Sequence, residues 1–436
     1  MSISNLEIPE SCQRVPGFSF LRCFLHSTDA VSENTFVLRL PKVSGRAKLI
    51  YRVLRWALLI FLPIALVQDS LDIALGFYKT KDLQTKYGKA EPVIVLMTYC
   101  TSILALLMAM YTVIFLCLKR AKILKTFAVL EELTNMLQIK PSHVQSQLRE
   151  LQICFWMALA LGITGYLVCT LSNPEFYRTF AVPVNCGYID TILGLTKLYY
   201  RGTIFYGTMI HFSALGVFAY VNVFLLACSR EVSREQAQFL SIYQNDTAAQ
   251  SDKIPNEMYV TKLKRWLHHN VKLKEAFDEV QKTFCWKLLL DTATLCLGLL
   301  IQLAYISTWL LKPTTDLTIM ETFVNLIRHI LYLVTYLLCG WIVLYRPLAL
   351  YKMHHNRSDM LGKILAERRR SSCEEPSNEE IMLSMMVMKK ADDGDLVYNA
   401  GTILPLGPKV GSTISAAVFA FGWFVIQRSL DFKGKL

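Results

Sequence analysis

No Cys-x-x-Cys pair, Gly-rich phosphate loop, catalytic triad or zinc-protease helix occurs in the 436 residues. Zinc sites, disulfide scaffolds and nucleotide cradles each need such spacings, so none of them is expected here. The chain is therefore expected to be no enzyme and to carry no cofactor. Charge is also scarce, at 18% of residues, against roughly 25% in a soluble domain. Residues 1–48 hold no apolar run with a cleavage site, so no signal peptide is expected. The net charge of +12 is spread over loops rather than gathered in a patch. Anionic lipid beside cytosolic flanks is the expected counterpart, and nucleic acid is not.

What the chain does have is apolar length. It is 53% hydrophobic with a mean hydropathy of +0.35. Seven blocks are long enough to span a bilayer: 54–77, 92–117, 153–171, 203–228, 284–311, 323–346 and 411–430. About 20 helical residues cross a hydrocarbon layer of ~30 Å. The last block reads GSTISAAVFAFGWFVIQRSL and follows a Gly/Pro-punctuated lead from Asn399 to Pro408.

Lys and Arg set the expected orientation. They crowd the N-terminal segment (Arg39, Lys42, Arg46, Lys48, Arg52) and the connections 118–152, 229–283 and 346–410. The alternate connections are poorer, although the first holds Lys79, Lys81, Lys86 and Lys89. The N-terminus is thus expected in the cytosol and the tail from Asp431 to Leu436 outside. A G-protein-coupled receptor has the reverse arrangement.

The helical pattern runs past the second block, with Leu124, Phe127, Leu130, Leu133 and Leu137 on one face. It precedes the fifth block too, with Leu263, Trp266, Leu267, Val271, Leu273, Phe277 and Val280. Either the spans extend into a cytosolic bundle or these are separate interfacial helices. Ser377-x-x-Glu380 reads as a capping box opening a short helix, Ile381 to Met388, too short to cross a bilayer. The pairs His268-His269 and His354-His355 are expected on solvated surface, since adjacent helical side chains point apart. Asn245 and Asn356 head glycosylation sequons in connections expected to be cytosolic. Cys169 and Cys186 could form one disulfide on the outer side.

With these features the chain resembles the insect gustatory and odorant receptor superfamily, as a divergent gustatory-type member. Gustatory receptors have Thr-Tyr, five apolar residues, then Gln-Phe in the last span. Here that frame runs from Ala420-Phe421 through five apolar residues to Gln427-Arg428. The Gln matches, Phe421 stands for Tyr, and Ala420 and Arg428 depart. Ala400-Gly401 through Leu406 looks like the stretch those receptors place before it.

The resemblance implies an all-α membrane protein with seven transmembrane helices and a cytosolic anchor bundle. It implies a ligand-gated cation channel, a homo- or heterotetramer with other receptor subunits, whose last spans line a pore. The pore residues would be Phe421, Phe424, Gln427 and Arg428. A ring of four arginines would repel cations, so Arg428 must point off the axis or change the selectivity. Without the resemblance, Gln427 and Arg428 read as a membrane boundary where polar side chains snorkel.

Polar groups inside the spans lie toward the outer side: Gln68, Asp69 and Asp72 in the first span, and Tyr206 and His211 in the fourth. Gln302, Tyr305 and Trp309 lie so in the fifth, and Asn325, Arg328, His329 and Tyr332 in the sixth. Ionisable groups at depth cost a few kcal/mol and turn to the bundle interior. Together with aromatic rings they suit a small-molecule ligand; pairing between helices or interface anchoring is the plainer account. Asp291, in the inner half of the fifth span, is assigned to helix packing or an inner cavity.

The expected layout is a cytosolic segment 1–50, six spans with their extensions over 51–346 and a cytosolic loop 347–410. A pore helix 411–430 and an outer tail 431–436 complete it. The expected setting is the cell membrane, with lipid as a further partner, and the competing reading is a G-protein-coupled chemoreceptor.

Overall fold

The computed structural model describes the backbone of residues 45–78, 92–139, 141–171, 188–246, 256–311, 319–371, 377–392 and 396–407. It also describes residues at intervals between 409 and 427, together with Leu21 and Phe24. Side chains are described within somewhat narrower limits.

Six long helices cover the first six apolar blocks: α1 (Gly45–Tyr78), α2 (Pro92–Met136), α3 (Pro141–Leu171), α4 (Tyr188–Asp246), α5 (Asn256–Leu311) and α6 (Ile319–Ser371). A helix satisfies every backbone polar group within its own segment, which hydrocarbon demands. By length and composition, five of the described helices are able to cross a membrane: α1, α2, α4, α5 and α6. The 59 residues of α4 and 56 of α5 make rods of roughly 85 Å at ~1.5 Å per residue. Such rods outrun any bilayer, so one end of the bundle projects beyond it. Continuous helices thus replace the alternative of separate interfacial segments beside the second and fifth blocks.

α4 is the central helix. It packs against all five other long helices. Every residue of its most apolar window is buried, whereas only 17% of the corresponding α1 window is. Close approach matters in this core: a Cβ on Gly207 of α4 would lie 2.5 Å from the Ala109 Cβ of α2. Much of the apolar surface of α1 and α6 is exposed, Val53, Ile60 and Ile64 on the one and Phe323 and Leu337 on the other among it, as are Trp56, Trp156, Trp286 and Trp341. Those four tryptophans sit near the extension-side limit of their blocks, where indole rings favour a membrane boundary.

Beyond that boundary a second apolar cluster joins α4, α5, α6 and a short α7 (Asn378–Asp392): Phe239, Tyr259, Leu263, Trp266, Leu361, Ile364, Leu383 and Val387. α7 is longer than the Ile381–Met388 expected from sequence. Its start is capped as expected, with the Glu380 N–H donating to Ser377 Oγ at 3.2 Å. The Glu380 carboxylate turns instead to Arg368, 3.4 Å away and equally buried. Arg357 ties three helices here, donating to Asn270 Oδ1 at 2.9 Å and to the Ser229 carbonyl at 3.0 Å.

The histidine pairs correct the expectation of solvated surface. His269 and His354 are buried, because bundling turns one member of each pair inward. Burial, then the positive charges of Arg265, His268 and Lys262, lower the His269 pKa to about 4.

A two-stranded antiparallel hairpin, β1 (Asn399–Ala400) and β2 (Leu404–Pro405), follows α7. The described residues between 409 and 427 are helical. Cys186 and the expected disulfide with Cys169 lie outside the described side chains.

Candidate functional site

Three side-chain groups are arranged along α5. The first lies in the half away from the extensions. His329 Nδ1–H donates to Gln302 Oε1 at 2.8 Å, and Arg328 Nη2 donates to His329 Nε2 at 2.9 Å. An amide oxygen only accepts and a guanidinium only donates, so this imidazole is the neutral Nδ1–H tautomer. The Tyr305 ring stacks on it, centroids 4.1 Å apart at 12°. Gln302, Tyr305 and His329 are all buried. Four of the residues singled out from sequence therefore meet: Gln302, Tyr305, Arg328 and His329.

Tyr332, one turn on, faces α3, where a Cβ on Gly165 would come within 3.2 Å of its ring. Tyr206 is half-buried on α4. Asp69, Asp72 and Gln68 on α1, Trp309 on α5 and Asn325 on α6 have helical backbones, and their side chains lie outside the described set.

The second group sits about 16–22 Å further along α5, since Asp291 and Lys287 lie roughly eleven and fifteen residues from Gln302 at ~1.5 Å each. Lys287 Nζ donates to both Asp291 oxygens, at 2.8 and 2.7 Å, across one turn of helix. Tyr111 of α2 donates to Asp291 Oδ1 at 2.7 Å. His211 of α4 approaches the same oxygen at 3.9 Å and bonds Thr112 at 3.0 Å. Sequence depth placed His211 and Asp291 in different halves of the membrane. The structure sets them at one level, because neighbouring helices are staggered. The assignment of Asp291 to helix packing holds. Lys287 and Tyr111 escaped the sequence reading. The available signal was a Lys-x-x-x-Asp pair on one face of an apolar block, where two opposite charges neutralise each other.

The third group joins α5 to the hairpin. Gln281 bonds both backbone groups of Asn399, and Cys285 Sγ donates to the Asn399 carbonyl at 3.2 Å. The Gly401 N–H donates to the Cys285 carbonyl at 2.9 Å. Gly401 has φ +62° and lies against Leu289, which leaves no room for a Cβ. Tyr398 is fully buried, its ring 4.5 Å from Phe277 and 5.4 Å from Phe218.

The chain beyond this anchor is unlike the rest. Phe419, Trp423 and Phe424 are 79%, 62% and 57% exposed. Of the residues expected in a pore, Phe424 and Gln427 are exposed, Phe421 is half-buried, and Arg428 lies outside the described residues. Among the described residues, no group of three or more His, Cys, Asp and Glu is placed to hold a metal ion.

A bundle of apolar helices that outrun the membrane, with polar clusters set in an apolar core and an exposed last segment, defines a polytopic membrane protein. The chain belongs to the seven-transmembrane chemosensory receptor family, whose pattern matches residues 37–381. By sequence, no curated protein matches it. The fold is similar to the insect olfactory receptor OR5 from Machilis hrabei. With eugenol bound, that structure superposes with a TM-score of 0.65 at 12% identity, covering 96% of this chain and 98% of that one. A second structure of OR5 from Machilis hrabei gives 0.64 at 13% identity, covering 94% and 96%.

Proposed function

We propose that the protein is a gustatory-type chemoreceptor of seven spans acting as a tetrameric ligand-gated cation channel, with no enzymatic activity and no cofactor. The observation that carries this is the last segment. It is apolar, exposed at nearly every described position, and tied at its base through the hairpin. A helix of this kind is stable in a membrane only against lipid or other chains. Thr413, Ala417, Ala420, Phe424 and Gln427 fall at i, i+4, i+7, i+11 and i+14 and form one mostly small-sided stripe. Phe419 and Trp423 form the bulky face. Small residues let helices approach closely in lipid, which suits four copies around an axis.

In this reading the N-terminus is cytosolic and the tail after Leu430 is outside. Residues 1–50 form a cytosolic segment, 51–346 the first six spans with their extensions, and 347–410 a cytosolic loop. The pore helix is 411–430. The distribution of Lys and Arg supports the orientation, and the level of the four exposed tryptophans agrees with it. The setting is the cell membrane.

The ligand is a small organic tastant taken up between helices at the level of Gln302, Tyr305, Arg328 and His329. Tyr206 and Tyr332, with Asp69, Asp72, Trp309 and Asn325, complete the site; His211 lies below it. The eugenol complex of the structurally similar olfactory receptor supports a small-molecule site in this fold.

Expression of the full chain alone, with current recorded during a tastant screen and surface delivery verified, tests this reading. A ligand-evoked cation current and a tetrameric mass are expected. Silence at the surface counts against the homomeric channel. Glycan attached at Asn245 or Asn356, seen as a glycosidase shift, would instead favour the G-protein-coupled arrangement.

A further inference from the structure

α1 and α2 pack along a seam of buried side chains: Leu58, Leu62 and Ala65 from α1, and Leu106, Ala109, Val113 and Leu116 from α2. At its extension-side end the seam is closed by two arginines. Arg55 lies three residues before Leu58, and Arg120 four residues after Leu116, so each stands one turn beyond the last buried leucine. Burial, and then the positive charge of Arg55, disfavour the charged form of Arg120. Leu62 and Ala109 both lie against Gly207, so along these antiparallel helices Arg55 falls about one turn from the level of Arg120. The Arg55 Nε is closed off from solvent and hydrogen-bonds to nothing among the described residues.

The surroundings match a lipid. Leu54, Trp56 and Leu118 expose large apolar surface beside the two arginines, in position for acyl chains. Arg52 and Lys119 add charge at the same rim. A phosphate diester placed here meets planar donors that suit it bidentately.

We propose that this mouth of the α1–α2 seam binds the phosphate of an anionic phospholipid between Arg55 and Arg120. The cytosolic assignment of that leaflet rests on the orientation given under Proposed function; the binding itself does not. Free phosphate has the same donor requirement, but it lacks the chains that Leu54, Trp56 and Leu118 would cover.

The test uses the full chain, purified in detergent and examined by native mass spectrometry with phosphatidylserine, phosphatidylcholine or inorganic phosphate. Because both faces are open in detergent, failure here is separate from failure of the orientation. Phosphatidylserine is expected to be retained in preference to phosphatidylcholine. Arg55→Gln and Arg120→Gln are each expected to weaken retention about fivefold, and Arg55→Lys to weaken it less. Arg234→Gln, on the exposed face of the distal bundle, is expected to leave it unchanged. If Arg120→Gln does not fold, Arg55→Gln against Arg55→Lys decides. Equal retention by native and Gln variants, equal retention of the two lipids, or displacement of phosphatidylserine by inorganic phosphate would each overturn the proposal.

Discussion

Gln281 holds Asn399 by both of its backbone polar groups. Its Nε2 donates to the Asn399 carbonyl at 2.6 Å, and its Oε1 accepts the Asn399 N–H at 3.1 Å. One side-chain amide thus does for the hairpin what a neighbouring strand would do. Replacing it by Ala leaves the N–H to water and the carbonyl to the weaker Cys285 thiol donor, at a net cost of about 1–2 kcal/mol for two hydrogen bonds. Gln281→Glu keeps the acceptor and loses the donor. Limited proteolysis within 393–410 is expected to accelerate in the order native, Glu, Ala.

Gly401→Ala meets two penalties at once. A left-handed φ of +62° costs a residue with a Cβ about 1–2 kcal/mol. The new methyl also falls 3.1 Å from both Cβ and Cγ of Leu289. Leu289→Ala removes the Cγ but keeps the Cβ, so it should relieve most of the crowding and none of the backbone strain. The double variant is therefore expected to melt between Gly401→Ala and native, as read by a thermal shift in detergent.

Lys287 and Asp291 are each about 1–2% exposed, so removing one partner strands a charge in the interior. Lys287→Met is expected to cost about 3–5 kcal/mol. Lys287→Met with Asp291→Leu removes both charges and should recover most of the loss, the Tyr111 hydroxyl keeping Thr294 Oγ1, 3.4 Å away, as its partner. Surface expression and melting temperature of the three proteins check this, and a double variant no better than the single would contradict it.

His269 is buried in its neutral form with its pKa lowered to about 4. The folded chain then binds fewer protons at this site than the unfolded chain between pH ~6.5 and that value. Its contribution to stability is complete above the unfolded pKa and declines as pH falls through this window. His269→Gln is expected to flatten the fall in melting temperature between pH 7 and 4.5 relative to native.

The helix extensions were readable because apolar periodicity simply continued past the second and fifth blocks. The cap at Ser377 was readable because it is a local pattern of four residues. The meeting of Gln302 with His329 follows from two antiparallel spans, and depth along each one was enough to anticipate it. The level shared by His211 and Asp291 was not, because depth counted from block limits ignores stagger. The burial of His269 and His354 was missed for a related reason: local rules say that neighbours diverge, but not which one turns inward.

Composition and patterning by themselves determined that this chain is a bundle of membrane helices, since hydrocarbon leaves the backbone no other way to bond, and placed Lys and Arg at one end. Only the tertiary structure decided that α4 is the centre, that Tyr111 of α2 closes on Asp291 of α5, and that Gln281 secures the hairpin at the base of the last helix. Those outcomes depend on which faces of distant helices meet. No local pattern of residues carries that information, because it is set by side-chain packing between segments more than a hundred residues apart.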